Sequence, residues 1–254
     1  MFRRAVSRLL HIDDEERIGT YQRLLDDATP PSLSALPERE RRLVHMLVAA
    51  VADRALSKSN TVQDAVDLLW EHPQVRAELL ELLAVLEDRV DHVHARLSAH
   101  PDVPLQIHAR YSRIEILAGM GLAAGAKIAA WQSGVYEAKT ANSELFAFTL
   151  DKTSGSFSPT TRYRDYAISR TLLHWESQAT TRAESPTGLR YQNHERDGRS
   201  ILLFSRLRAD DRAFWFLGPA IYRGHIGEKP MAITWQLVHP LPGDLYAAFA
   251  AAVA

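Results

Sequence analysis

The chain contains no cysteine. That excludes a disulfide framework, a thiolate metal site and a cysteine nucleophile, and it fits a reducing, cytoplasmic setting. No segment approaches the ~18 apolar residues that a membrane-spanning helix requires, so no membrane partner is expected. The N-terminal "MFRRAVSRLLHIDDEER" has basic residues and a short apolar stretch. Arg8 interrupts that stretch and an acidic cluster follows at once, which argues against a secretory signal peptide. The phosphate-cradling G-x-x-x-x-G-K-[ST] and G-x-G-x-x-G patterns are also missing, as is the G-x-S-x-G nucleophile elbow. No internal repeat or low-complexity tract is present. With no convincing catalytic motif, neither enzyme activity nor a cofactor is expected.

What remains is a chain of 254 residues with ordinary globular composition, long enough for two domains. Net charge is −1 overall. It is unevenly spread: residues 1–100 carry 13 Lys/Arg against 17 Asp/Glu, whereas 101–254 carry 17 against 14. A shift towards basic character is weak support for an anionic partner on the second half.

The two halves differ in hydrophobic period. In "DDEERIGTYQRLLDD", Ile18, Tyr21, Leu24 and Leu25 form a helical stripe. "PERERRLVHMLVAAVADRAL" starts after Pro37 with Glu38 and Glu40 in its first turn. "NTVQDAVDLLWEHP" has Asn60 or Thr61 as N-cap and stops before Pro73. "QVRAELLELLAVLEDRVDHVHARLSAH" reads as one long amphipathic helix, and "RYSRIEILAGMGLAA" as a further helix. The period then changes. "ELFAFTLD", "DYAIS", "LLHWESQ", "SILLFSR", "AFWFLGPAIY" and "MAITWQLV" are short strand-like runs, separated by turn segments such as "KTSGSFSPTT" and "AESPTG". "LYAAFAAAV" predicts a closing helix. The expected fold is α+β: a helical domain over 1–100, then a β-rich domain over 101–254 built as a curled sheet or small barrel.

Candidate chemistry is sparse. His92 and His94, at i and i+2 of a predicted helix, point to different faces and do not form a metal pair. Asp102, Glu137 and Lys139 outline a metal-dependent nuclease, with two carboxylates for Mg²⁺ and a lysine to orient water, but Glu137 is expected at a turn and the pattern is short. "FSPTTRYRDYAISRTLLHWESQ" is denser in function-bearing groups. Recognition of an extruded base needs flat side chains and a few edge-reading donors and acceptors. Trp131, Tyr163, Tyr166 and Trp175 supply flat faces, and Asp165, Ser177 and Gln178 supply edge contacts; an aspartate suits the cytosine amine. Lys152, Arg162, Arg164, Arg170 and Arg190 are candidates for DNA phosphates. The competing reading is that the alternating aromatics build a core, Trp175 above all.

"HARYSRIEIL", "WQSGVY", "DKTSGSFSPTTRYRDYAIS", "LLHWESQATTRAESPTGLRY", "FLGPAIY" and "GEKPMAITWQL", spread over about residues 105–246, resemble a domain of long-unassigned function. That domain forms the C-terminal part of large bacterial helicase proteins, often with a phospholipase-D-type nuclease at the other end. "HIDDEERIGTYQRLL" and "ERRLVHMLV" resemble what precedes it. The resemblance implies modification-dependent, type IV restriction, with this tail recognising methylated cytosine through a β-barrel-like fold of the SRA or PUA type. A motor and a nuclease have no room here. The expectation is therefore a reader of double-stranded DNA bearing 5-methylcytosine that flips the base into an aromatic pocket. The alternatives are an adaptor or recognition subunit for a separate helicase or nuclease, and the metal-dependent nuclease. The starting Met1 weakly favours an independent chain.

Overall fold

The computed structural model describes residues 4–52, 61–122, 131, 133–150 and 165–252. The chain divides into two compact units, 1–131 and 132–254; the sequence pattern places the boundary at 100. The stretch from Pro101 to Trp131, with its helix, falls in the first unit.

The first unit is helical: α1 (Ala5–Leu9), α2 (Glu15–Asp26), α3 (Glu38–Val51), α4 (Val62–Trp70), α5 (Pro73–Glu87) and α6 (Arg113–Gly119), with short extended pieces β1 (Ala95–Arg96), β2 (Gln106–Ile107) and β3 (Arg110–Ser112). The starts follow local chemistry. Asp14 caps α2 by accepting from the Arg17 amide at 2.8 Å, and the predicted stripe Ile18, Tyr21, Leu24, Leu25 is buried. Of the two predicted caps for α4 it is Thr61 that serves, in a reciprocal capping box with Asp64. Ser112 and Glu115 form a second such box on α6. Gly119 permits close packing of α6: a Cβ there would lie 3.0 Å from Met46 Sδ on α3 and 3.1 Å from Leu105.

One expected helix is shorter than its pattern suggested. α5 stops at Glu87 because its buried stripe, Leu79, Leu83 and Leu86, ends there, and Val93 is exposed. The chain then turns to pair β1 with β2. His92 and His94 therefore lie off any helix, their ring centroids 6.4 Å apart.

The second unit is a sheet of β4 (Val135–Ala138), β5 (Ser143–Thr149), β6 (Tyr166–Ala167), β7 (Leu172–Glu176), β8 (Ser200–Arg206), β9 (Ala213–Ile226) and β10 (Ala232–Leu237), with α7 (Pro186–Gln192) and α8 (Gly243–Ala251). The strand order is β4-β5-β8-β9-β10-β7-β6. Along this path, among the described residues, β5 and β8 pair in parallel and the other neighbours are antiparallel. Among the described residues the path ends at β4 and β6, so the sheet is open, curled rather than closed into a barrel. Register shifts in β8–β9 and β9–β10 supply the bulges that bend such a sheet.

Alternation along the strands separates the faces. In β7, Leu173 and Trp175 are buried, while Leu172, His174 and Glu176 are half-exposed. The buried face carries Phe146, Trp175, Leu203, Ile233 and Trp235 and receives Tyr191 from α7 and Leu245 and Phe249 from α8. The turn expected in "AESPTG" is instead the start of α7, with Ser185 accepting from the Gly188 amide and Pro186 in the first turn. A Cβ at Gly188 would run into the carbonyl oxygens of Arg182 and Ala183.

Candidate functional site

Strand register brings the ends of β4, β7 and β9 and the starts of β5, β6, β8 and β10 to one end of the sheet. Several sequence-predicted residues arrive there. Tyr166 on the edge strand β6 stands opposite His174 on β7. It is 38% exposed, with its ring stacked on that imidazole at 4.7 Å. Asp165 and Ser177 are buried and bonded to backbone. Asp165 Oδ1 accepts from the Glu176 amide at 3.0 Å, and Ser177 Oγ accepts from the Met231 amide at 2.9 Å. The Gln178 carbonyl accepts from the Thr181 amide at 2.9 Å.

Other predicted residues are placed elsewhere or hold the fold. Trp175 is 4% exposed and packs on Phe146 at 4.5 Å and on Tyr191 at 5.9 Å. Arg170 lies exposed at the opposite end of β7 and donates to the Leu241 carbonyl at 2.6 Å. Trp131 belongs to the first unit, where Arg113 donates to its carbonyl at 3.1 Å and lies 5.4 Å from its ring centroid. Lys152, Arg162, Tyr163 and Arg164 lie outside the described residues.

The same end of the sheet holds a charge cluster that composition did not reveal. Glu137, on strand β4 rather than at the expected turn, stands directly opposite Glu144 on β5. Like charges across a ladder are destabilising unless compensated. Two arginines supply the compensation: Arg190 Nε donates to Glu144 Oε1 at 2.6 Å, and Arg199 Nη1 lies 3.3 Å from Glu144 and 3.4 Å from Glu137. The start of β5 is fixed by Asn142, which adopts a left-handed conformation at φ 45°. Its side-chain Nδ2 donates to the Gly198 carbonyl at 2.8 Å, and its backbone carbonyl accepts from the Ser200 amide at 3.1 Å.

Glu144 is wholly buried. Burial pushes its carboxyl above the ordinary range, further than the Arg190 hydrogen bond and charge pull it down. Burial likewise raises the Tyr191 phenol beyond its usual range. His194 completes the neighbourhood. Its Nε2 accepts from the Tyr222 amide at 3.1 Å, so Nδ1 carries the proton and donates to the Arg199 carbonyl at 3.1 Å. Burial lowers its pKa, consistent with that neutral tautomer.

The nuclease outline does not assemble within either unit: Asp102 belongs to the first, Glu137 and Lys139 to the second. Among the described residues no group of three or more His, Asp or Glu side chains is placed to hold a metal ion. No described helix is long and apolar enough to cross a membrane.

In the first unit, the two motifs "HIDDEER" and "RYSRIE" meet in a buried ionic knot. Arg17 contacts Asp14 at 2.8 Å and Glu115 at 3.1 Å and donates to the Arg110 carbonyl at 2.8 Å. His11 Nε2 lies 2.7 Å from Glu115, and Arg17 sits 4.3 Å above the Tyr111 ring. Arg17 and Glu115 are entirely buried, and their charges are met within the knot.

An α+β protein with an open, mostly antiparallel sheet and a paired-carboxylate, paired-arginine cluster at one end is the class these features define. The chain belongs to the family described as Domain of unknown function (DUF3427), whose model matches residues 105–249, more than half of its length. No curated protein matches it.

Proposed function

We propose that this protein reads modified cytosine, 5-methylcytosine first, in double-stranded DNA, by flipping the base into an aromatic pocket. The observation that carries the reading is Tyr166. It is the partly exposed member of an aromatic stack at the open sheet edge, immediately after the segment bearing Lys152, Arg162, Tyr163 and Arg164. An exposed stacking platform that follows a basic stretch of sequence suits a phosphate backbone with an unstacked base. The resemblance of its motifs to the target-recognition tail of modification-dependent restriction helicases supports the same reading, and with it a cytoplasmic, nucleoid-bound setting and a separate helicase or nuclease partner.

The energetics constrain the mechanism. Unstacking a base costs a few kcal/mol, which stacking and edge hydrogen bonds must offset. Burying one methyl contributes only about 1 kcal/mol. Discrimination must therefore come from shape and enclosure as well as from area. Binding to matched duplexes carrying cytosine, 5-methylcytosine, 5-hydroxymethylcytosine or 6-methyladenine at one site tests the reading. Arg162→Ala and Arg164→Ala are expected to weaken all probes alike and to flatten the salt dependence.

A further inference from the structure

Buried carboxylate oxygens normally find donors. Glu144 Oε1 has two, Arg190 Nε at 2.6 Å and Arg199 Nη1 at 3.3 Å. Glu144 Oε2 has none among the described residues, although the side chain is wholly buried. The arrangement itself keeps that oxygen unsatisfied. Glu137, directly across the ladder, shares both guanidinium groups, at 3.4 Å from Arg199 and 3.7 Å from Arg190. Neither arginine is left to serve Glu144 alone. Flat side chains stand nearby. Phe146 lies two residues along β5 on the same face and contacts Tyr191 at 5.0 Å and Trp175 at 4.5 Å. The other members of the cluster, Glu137, Arg190 and Arg199, are partly exposed. An acceptor without a donor, beneath a partly exposed layer of charge and beside an aromatic ring, suits one class of ligand: a planar group carrying an amine.

We infer that Glu144 Oε2 accepts a hydrogen bond from the exocyclic amine of a planar base. Resting on the function proposed above, that amine is the 4-amino group of the flipped 5-methylcytosine. The carboxylate then makes a distinction that a methyl-shaped pocket cannot. Thymine carries the same 5-methyl group but presents a carbonyl at position 4, and a carboxylate facing that oxygen is repelled. Glu144 is thus the specificity residue that separates 5-methylcytosine from thymine, and a glutamine there, whose amide can turn to donate, would lose that distinction.

The test measures binding of the full chain to two duplexes that differ at one position, 5-methylcytosine or thymine opposite guanine, for the wild type and Glu144→Gln. The wild type is expected to prefer 5-methylcytosine by roughly tenfold or more, the range of one good base-edge contact. Glu144→Gln is expected to collapse or reverse that ratio. Comparing the ratio between proteins cancels the difference in pairing strength between the duplexes. A variant that keeps the wild-type ratio overturns the inference while leaving the proposed function standing. A wild type that binds 5-methylcytosine no better than cytosine in the matched duplex overturns the proposed function and this inference with it. If Glu144→Gln does not fold, Glu144→Asp replaces it: a carboxylate drawn back by one methylene should lose the discrimination, and retention of it contradicts the role.

Discussion

Arg17 and Glu115 stand 98 positions apart in the chain and meet at 3.1 Å with neither side chain exposed. One comes from the start of α2, the other from the first turn of α6. Around them His11, Asp14 and the Arg110 carbonyl complete a network in which the Arg17 charge is met by carboxylates and a backbone carbonyl. Such a network gains little over a packed apolar equivalent, but removing a single member leaves an uncompensated buried charge.

Arg17→Met is therefore expected to destabilise the first unit by about 3–5 kcal/mol. Urea unfolding of the full chain, followed by probes in each unit, measures it. The double change Arg17→Met with Glu115→Leu should cost less than the sum of the single changes, because the second removes the charge that the first strands.

The same network sets an acid limit. Burial alone would raise the Glu115 carboxyl, but the His11 and Arg17 charges and the bonds from His11 and Ser112 outweigh it and hold the group at about 2 rather than 4.5. A carboxyl depressed by folding stabilises the folded state above its unfolded value and loses that contribution as pH falls to its folded value. Stability should decline between pH 4.5 and about 2. Asp14, raised by burial, works in the opposite direction. The readout is accordingly the difference between wild type and Glu115→Gln, which should narrow through that window.

Glu144 is expected to behave in the reverse sense. Burial raises its carboxyl above 4.5 in the folded state. A raised group contributes stability below its unfolded value and loses it as pH rises through the folded one. Glu144→Gln should thus gain on the wild type as pH rises above 4.5, measured as the difference in thermal midpoints across a pH series.

Trp175 and Tyr166 separate core from site. Trp175→Ala removes an indole packed on Phe146 and Tyr191 and should cost about 3–5 kcal/mol in chemical unfolding. Tyr166→Ala removes a half-exposed ring and should change stability by only about 0.5 kcal/mol, while weakening DNA binding by roughly tenfold through the lost stacking.

Elements with strong local signals were legible before any coordinates. The α2 stripe, the Thr61 cap and the runs of β5, β7, β8 and β10 are where the patterns placed them, because period and capping act over a few residues. The end of α5 was not legible, since Val90 and Val93 continue a helical spacing although Val93 has nothing to pack on. Ser185 followed by Pro186 was a helix start that a Ser/Pro/Gly turn signature masked. The charge cluster was hidden for a different reason. Glu137, Glu144, Arg190 and Arg199 come from two strands, a helix and the turn before a third strand, and only sheet register brings them together. The sequence pattern groups Glu137 with Asp102 and Lys139, whereas its ion pairs are with Arg190 and Arg199. Of the polar residues chosen for a base edge, Asp165 and Ser177 bond backbone amides, a use that residue type alone does not disclose.

The central claim is that the chain distinguishes a modified cytosine from a plain one. Fluorescence anisotropy with two duplexes identical except for one 5-methyl group, at fixed and moderate salt, tests it most directly. The expected result is tighter binding to the methylated duplex by roughly tenfold or more, the sum of methyl burial and enclosure, with the preference maintained as added salt weakens both. Equal affinity for the two duplexes at every salt concentration would contradict the account.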